Sequence, residues 1–250
     1  CMMTFDVNGN VLDHTITESV ICVDERMSYT GVKAILEGQE HPEGEREDIR
    51  ALCFLMKEAA AILKEKRRKR GAIDFDFPES KIIVDDKGYP IDIHPYERNV
   101  ATDISEDFML LANETVAEDY FWQEIPFLYR THETPDSDKI KKLDTFIHNF
   151  GYFIRLQQGE IHPKELQKLL DKIEGTPEEV LLSRLTLRSM KQAKYTTDCM
   201  GHFGLSTRYY THFTSPIRRY PDLQIHRIIK DSLTGGVKER REGHYGQILP

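Results

Sequence analysis

The stretch HFTSPIRRYPDLQIHR, His212–Arg227, sets two adjacent arginines between Ser-Pro and Tyr-Pro. An arginine offers a planar fork of charged donors that can grip phosphate oxygens in pairs. Ser215 and Pro216 are typical of a helix N-terminus, where backbone N–H groups attract anions. Neighbours on a helix point about 100° apart, so one arginine is expected to meet a ligand and the other to pair with Asp222. A solvent-exposed charge cluster would explain the pair equally well.

The segments around this stretch predict an α+β fold with a mixed sheet, flanking helices and a helix-rich second half. Pro221 is expected to kink or restart the helix that follows Ser215, because proline lacks a backbone donor. Alternation and turn residues predict two strands around Asn8-Gly9 and a strand, turn and strand over 81–93. A further strand is predicted over 125–133, and residues 209–214 are expected to be extended.

Hydrophobic spacing predicts the helices. A long amphipathic helix is expected over 47–69, and a second over 103–122 with Asp103 or Ser105 as its cap. Three more helices are expected over 136–149, 163–174 and 177–193, the last capped by Thr176.

Composition narrows the class of protein. The chain has 250 residues, of which 39% are hydrophobic, and its apolar runs fall short of the ~20 residues that span a bilayer. Four dispersed cysteines favour reduced thiols in a soluble, cytoplasmic protein over a zinc site or a disulfide scaffold. The net charge of -8 argues against a surface coated with nucleic acid, but it permits a narrow basic site. Because the first residue is Cys1, a fragment or a processed chain is expected.

Three further patterns each have a functional and a structural interpretation. Glu106 and Asn113 lie seven residues apart, hence on one helical face, as pocket-rim groups or as the solvated edge of an apolar face. In RGAIDFDFPE, residues 70–79, alternation puts two aspartates on one face and two rings on the other, which suits a metal site, base stacking by Phe75, or an ordinary amphipathic strand. The basic run KEKRRKR, residues 64–70, suits a nucleic-acid backbone or the solvated end of a helix.

Taken together, five segments resemble the ribonuclease II/ribonuclease R family, also called the RNB family, with ribonuclease R as the nearest branch. They are ERMSYTGV, RGAIDFDFPE, ISEDFMLLANE, PFLYRTHETPD and HFTSPIRRYPDLQIHR, in that order along the chain. The resemblance implies an RNB-type catalytic domain that degrades single-stranded RNA from its 3′ end and releases nucleoside 5′-monophosphates. Residues 1–250 would be the C-terminal portion of one such domain.

The same resemblance implies roles for individual residues. Arg218 would contact the scissile phosphate and stabilise charge as water attacks. Arg219 would be a neighbouring phosphate contact or a structural one, and Ser215 would lie beside the phosphate. Tyr29 and Glu106 would seat the terminal ribose, whose 2′-hydroxyl marks RNA.

Two more positions follow from the resemblance. Phe75 would belong to the aromatic clamp on the terminal base, and Asn113 would line the nucleotide pocket.

The metal centre is where the chain departs from the family pattern. In the family, Mg²⁺ is held by a cluster of the form D-x-x-x-x-x-D-x-D-D, which lies upstream of every segment quoted above, so no metal ligand is expected within this chain. OB-fold RNA-binding domains would flank the catalytic domain in the full-length protein. The chain alone is therefore expected to be inactive. Two alternatives stay open: an inactive RNA-binding or partner-binding module derived from this family, and a hydrolase that uses Cys1 as its nucleophile.

Overall fold

A computed structural model describes residues 1–44, 46–74, 80–95, 98–156 and 160–235. Within these residues the helices are Tyr29–Leu36 (α1), Glu47–Arg70 (α2), Val100–Trp122 (α3), Ser137–Ile147 (α4), Pro163–Ile173 (α5), Glu179–Ser189 (α6) and Tyr220–Leu233 (α7). The strands are Met2–Phe5 (β1), Val11–Thr15 (β2), Ser80–Val84 (β3), Pro90–Pro95 (β4), Tyr129–Thr131 (β5) and Lys194–Thr196 (β6). The predicted α+β class is confirmed.

The six described strands pair in sequence order as three antiparallel two-stranded sheets. The predicted strands on either side of Asn8-Gly9 are β1 and β2, but they are joined by a five-residue loop, Asp6–Asn10, rather than by a two-residue turn. The Asp6 carboxylate accepts the backbone N–H groups of Asn8 at 2.9 Å and Asn10 at 2.8 Å, which stabilises the longer loop. The predicted pair over 81–93 is β3 and β4.

The chain divides into two compact units. The larger unit comprises residues 1–20, residues 62–74 and the described part of 109–250. The smaller unit comprises residues 21–61 and the described part of 75–108. No described helix combines the length and the apolar character needed to cross a membrane.

Each unit has its own apolar core. In α7, Ile225, Ile228 and Ile229 recur at spacings of three and one, so they share the face that packs against α3. The core of the larger unit is Val116, Ala117, Tyr120, Phe127, Leu128, Tyr129, Tyr209, Ile225, Ile228 and Ile229. The core of the smaller unit is Ile35, Leu36, Ile49, Cys53, Ala60 and Ile104.

The helix bodies agree with the predictions more closely than the helix caps do. The start of α3 is capped by Asn99, whose side-chain oxygen accepts the N–H groups of Ala101 at 2.9 Å and Thr102 at 3.2 Å. Asp103 and Ser105 lie inside the helix, so both predicted caps are wrong.

The predicted cap of α6 is also wrong. Thr176 donates its hydroxyl to the carbonyl of Ile173 at 2.6 Å, which ties it to the end of α5. Helix α6 begins only at Glu179.

The prediction that Ser215 and Pro216 open a helix is wrong as well. Residues 216–218 form a turn, and α7 begins at Tyr220 with Pro221 in its first turn. A helix that began at Pro216 would carry Pro221 in its interior, where the missing N–H breaks a hydrogen bond. In the first turn that N–H has no helical partner in any case, so restarting the helix at Tyr220 avoids the penalty.

Candidate functional site

Residues 213–219, called the arginine turn below, are held by a carboxylate of α7. The Ser215 carbonyl accepts the N–H groups of Arg218 at 3.3 Å and Arg219 at 3.1 Å, which closes the turn. Asp222 is fully buried, and its Oδ1 accepts both the Ser215 N–H and the Arg219 Nη2, each at 2.8 Å. The predicted ion pair between one arginine and Asp222 is confirmed. Because Asp222 is fully buried, removing Arg219 would leave its charge uncompensated.

Asn113 anchors the same turn from α3. Its side chain is buried, and its Oδ1 accepts the N–H groups of Phe213 at 2.9 Å and Thr214 at 3.3 Å. Its Nδ2 donates to the Tyr210 hydroxyl at 3.4 Å. The polar atoms of Asn113 are therefore engaged by the protein itself, and a direct contact with RNA stays a prediction.

Arg218 differs from its neighbour. It is exposed, and its guanidinium has neither a hydrogen-bond nor an ion-pair partner within the described part of the chain. The side chain of Arg219 is only 25% exposed and is paired with Asp222. The turn thus presents one available cation next to one structural cation.

Within the larger unit, a line of aromatic rings extends from His212, which directly precedes the arginine turn, to His132. Ring centroids are 5.0 Å apart for His132 and His202, 5.1 Å for His202 and Tyr210, and 5.6 Å for Tyr210 and His212. Burial is the main cause that lowers the pKa of His202 to about 3 and that of His212 to about 4. Both imidazoles are therefore neutral near pH 7.

His212 connects this line of rings to the cations. Its Nδ1 lies 2.7 Å from the Tyr195 hydroxyl, which can donate to the neutral ring. After burial, the neighbouring charge that lowers the pKa of His212 most is Arg219, and Arg130 and Arg218 lower it further. Three arginines therefore disfavour protonation of this one imidazole.

The smaller unit contains a pocket of about 320 Å³. Tyr29, the first residue of α1, is half exposed and lines it. Ser28 caps α1 by accepting the Gly31 N–H at 3.0 Å, and its own hydroxyl donates to Glu43 at 2.8 Å, so the position of Tyr29 is fixed from both sides. The apolar part of the lining includes Met27, Val32, Ile49, Leu52, Cys53, Met56, Ala101 and Ile104.

Glu106 follows Ser105, which lines this pocket. The Glu106 carboxylate accepts from the Arg98 guanidinium at 2.6 Å, and its side chain is 47% exposed. One oxygen therefore accepts from Arg98, and no described residue donates to the other. The predicted ribose contact of Glu106 stays a prediction.

Phe75, the predicted base-stacking residue, lies outside the described residues. Among the residues that are described, no group of three or more histidine, cysteine, aspartate or glutamate side chains is placed to hold a metal ion. The described residues therefore do not fit a metal centre.

Sequence reasoning did not single out Arg130 or Tyr195. Arg130 lies in the quoted segment PFLYRTHETPD, but the residues around it do not distinguish it from an ordinary arginine on a strand. The pairing of β5 with β6 sets Arg130 opposite Tyr195, and the sequence carries no local signal for a contact between residues so far apart along the chain. His212 lies in the stretch quoted first, but no role was predicted for it.

Comparison with known proteins identifies the family of this chain. Residues 1–235 match the RNB domain family. The chain is 44% identical over 231 residues to Ribonuclease R 1 of Lactococcus lactis, covering 92% of this chain and 28% of that protein. It is 44% identical over 233 residues to Ribonuclease R of Aquifex aeolicus, covering 93% of this chain and 33% of that protein. The chain thus spans about a third or less of the length of these relatives.

The fold has a close counterpart among solved structures. The RNase R of Mycoplasma genitalium, in complex with ribose-methylated single-stranded RNA, superposes with a TM-score of 0.92 at 27% identity. That match covers 99% of this chain and 39% of the other. Since the family match extends over nearly all of the described residues and the fold agrees, this chain belongs to the RNB domain family.

Proposed function

We propose that this chain is the C-terminal portion of the catalytic domain of a 3′-to-5′ hydrolytic exoribonuclease that releases nucleoside 5′-monophosphates from single-stranded RNA. The observation that carries the proposal is Arg218, an exposed guanidinium that no described residue pairs with, in a turn fixed by two buried anchors. The ribonuclease R relatives support the reaction class, and the RNA complex of the Mycoplasma genitalium protein supports the substrate.

Arg218 acts by charge stabilisation in this proposal. Negative charge builds up on the phosphate oxygens as water attacks, and a cation already held in place stabilises that charge without reorganising. Asp222 and Asn113 hold the backbone that carries Arg218. Arg219 neutralises Asp222, and a phosphate contact of its own stays a prediction.

The Ser215 hydroxyl has no hydrogen-bond partner among the described residues. The backbone N–H of Ser215 already donates to Asp222, so a contact with phosphate would use the side-chain hydroxyl. This differs from the sequence-based expectation, in which backbone N–H groups at this position met the anion.

The pocket of the smaller unit is proposed to take part of the terminal nucleotide. A lining that is mostly apolar, with a phenol at its edge, suits a base or a ribose face. Tyr29 and Glu106 would bond the ribose hydroxyls. A carboxylate has about four lone-pair sites, so Glu106 can accept a ribose hydroxyl while Arg98 stays bound. Phe75 would stack on the base.

RNB nucleases are generally metal-dependent. The described residues do not fit a metal centre, so we place the ligands of Mg²⁺ on the aspartate cluster that the family resemblance predicts upstream. Flanking OB-fold domains and a cytoplasmic location also stay predictions.

The test is a product analysis with the full-length protein that contains this chain. Single-stranded RNA labelled at its 5′ end is incubated with Mg²⁺, and a DNA strand of the same sequence serves as the control. We expect a ladder that shortens from the 3′ end by single nucleotides, nucleoside 5′-monophosphates as products, and intact DNA. Internal cuts would contradict the proposal, and RNA that is bound but stays whole would favour the inactive binding module.

A further inference from the structure

Arg130 is a partly buried cation for which the described residues supply no anion. It is the middle residue of β5, and its backbone N–H donates to the Tyr210 carbonyl at 2.9 Å, so its position is fixed. Its guanidinium carbon lies 4.6 Å from the centre of the Tyr195 ring. Within the described part of the chain, the guanidinium has no hydrogen bond and no ion pair.

The carboxylates of this region are already engaged. Glu133, three residues along the chain, binds Lys191 at 2.7 Å and also binds Lys194. Asp222, on α7, accepts from the Ser215 N–H and from Arg219. Neither carboxylate is bonded to Arg130, so its donors stay unused.

Physical chemistry makes this arrangement informative. A guanidinium that has lost part of its water is normally compensated by an ion pair or by hydrogen bonds. Contact with the face of a tyrosine ring supplies about 0.5–2 kcal/mol and holds the guanidinium in place, but it satisfies none of the N–H donors. A planar fork fixed in this way is suited to a bidentate contact with an anion.

The surroundings also favour an anion. Arg130 lies over the ring of Tyr195, the Tyr195 hydroxyl lies 2.7 Å from His212 Nδ1, and His212 directly precedes the arginine turn. In keeping with this placement, Arg130, Arg218 and Arg219 all lower the pKa of His212. The carboxylate that acts on this imidazole is Asp222, which already pairs with Arg219. The positive charges of Arg130 and Arg218 are therefore left without a partner within the described residues.

We propose that Arg130 binds a second phosphate of the RNA strand, adjacent to the phosphate at Arg218. The inference rests on the proposed function. In cleavage from the 3′ end, the scissile phosphate belongs to the last linkage, so the neighbouring phosphate can only lie on its 5′ side. Tyr195 is the positioning residue that holds the guanidinium in place.

The test measures binding with catalysis switched off. The equilibrium Kd of the full-length protein for single-stranded RNA is measured in EDTA over a range of salt concentrations, for the unaltered protein and for Arg130→Met. We expect Arg130→Met to raise Kd by about tenfold and to reduce the slope of log K against log salt by about 0.7, the value for one phosphate contact on a single strand. Arg188→Met, an exposed arginine on α6, is the matched control and should leave both quantities unchanged.

A second RNA separates phosphate binding from a purely structural role. It carries one uncharged methylphosphonate at the linkage on the 5′ side of the last. The unaltered protein should bind this RNA more weakly than ordinary RNA, whereas Arg130→Met should bind both equally. An unchanged Kd for Arg130→Met would overturn the proposal, and so would a loss that is the same size on both RNAs. A protein that binds RNA without cleaving it refutes the proposed function but leaves this comparison valid.

Discussion

At the scale of single residues, the candidate site depends on buried side chains. Asp222 and Asn113 are both buried, and between them they accept three backbone N–H groups of the arginine turn. Arg218 makes no side-chain hydrogen bond or ion pair within the described residues, so its position depends on the backbone that these anchors hold.

Asn113→Ala tests this anchoring. The substitution leaves the N–H groups of Phe213 and Thr214 without their acceptor, which predicts a loss of about 1–3 kcal/mol in the free energy of unfolding. Urea denaturation of the full-length protein measures the loss, and the RNA degradation rate should fall with it. Asn149→Ala is the matched control, since that exposed amide makes one local bond to the Phe146 carbonyl. Equal, small effects of the two substitutions would show that Asn113 does not hold the turn.

The sequence indicated that one of the two arginines pairs with Asp222, but it did not indicate which one. The pairing of one arginine with Asp222 followed from the angle between helical neighbours, and it is confirmed. Which arginine forms the pair depends on the exact residue at which α7 begins. The sequence predicted that start four residues too early, at Pro216 with Ser215 as the cap, because Ser-Pro is also a common turn sequence.

At the scale of elements, long periodic segments were predicted well, and interactions between distant segments were not. Helix α2 and the β3–β4 pair lie close to their predicted ranges, because periodicity and turn residues are local signals. The caps at Asp103, Ser105 and Thr176 were wrong because several residues near a helix start can cap it, and packing selects among them. The row of rings from His132 to His212 brings three segments together and has no local signature.

This row of rings predicts how stability depends on pH. The folded-state pKa values of His202 and His212 are about 3 and about 4, below the ordinary value of 6.5. The unfolded chain therefore takes up protons first, so the stability is fully present above pH 6.5 and is lost as the pH falls toward 4 and 3. At pH 5 each histidine would cost up to about 2 kcal/mol relative to pH 7.5.

The measurement is the free energy of unfolding of the full-length protein at pH 7.5 and pH 5. His202→Gln should lose less stability on acidification than the unaltered protein does, by about 1–2 kcal/mol. Asn149→Ala, which removes an exposed side chain that does not titrate, should lose as much as the unaltered protein. Identical acid sensitivity of all three proteins would show that His202 is already protonated, or freely solvated, in the folded state.

At the scale of the whole molecule, a negative net charge coexists with a local group of arginines. The chain carries a net charge of -8, yet Arg130 and Arg218 both stand without an anion among the described residues. Binding of a polyanion to an acidic protein then depends on a few local cations. The net charge permitted a narrow basic site of this kind, but the sequence predicted neither Arg130 nor the division into two compact units.

The measurement that tests the central claim most directly is the single-turnover rate of RNA cleavage by the full-length protein with Arg218→Ala. Arg188→Ala, which removes an exposed arginine outside the site, is the control and should cleave at the unaltered rate. We expect Arg218→Ala to lower the rate constant at saturating protein by about 100-fold or more, as loss of one charge-stabilising donor does. A fall of less than about tenfold, equivalent to 1.4 kcal/mol, would contradict the assignment of Arg218 to the scissile phosphate.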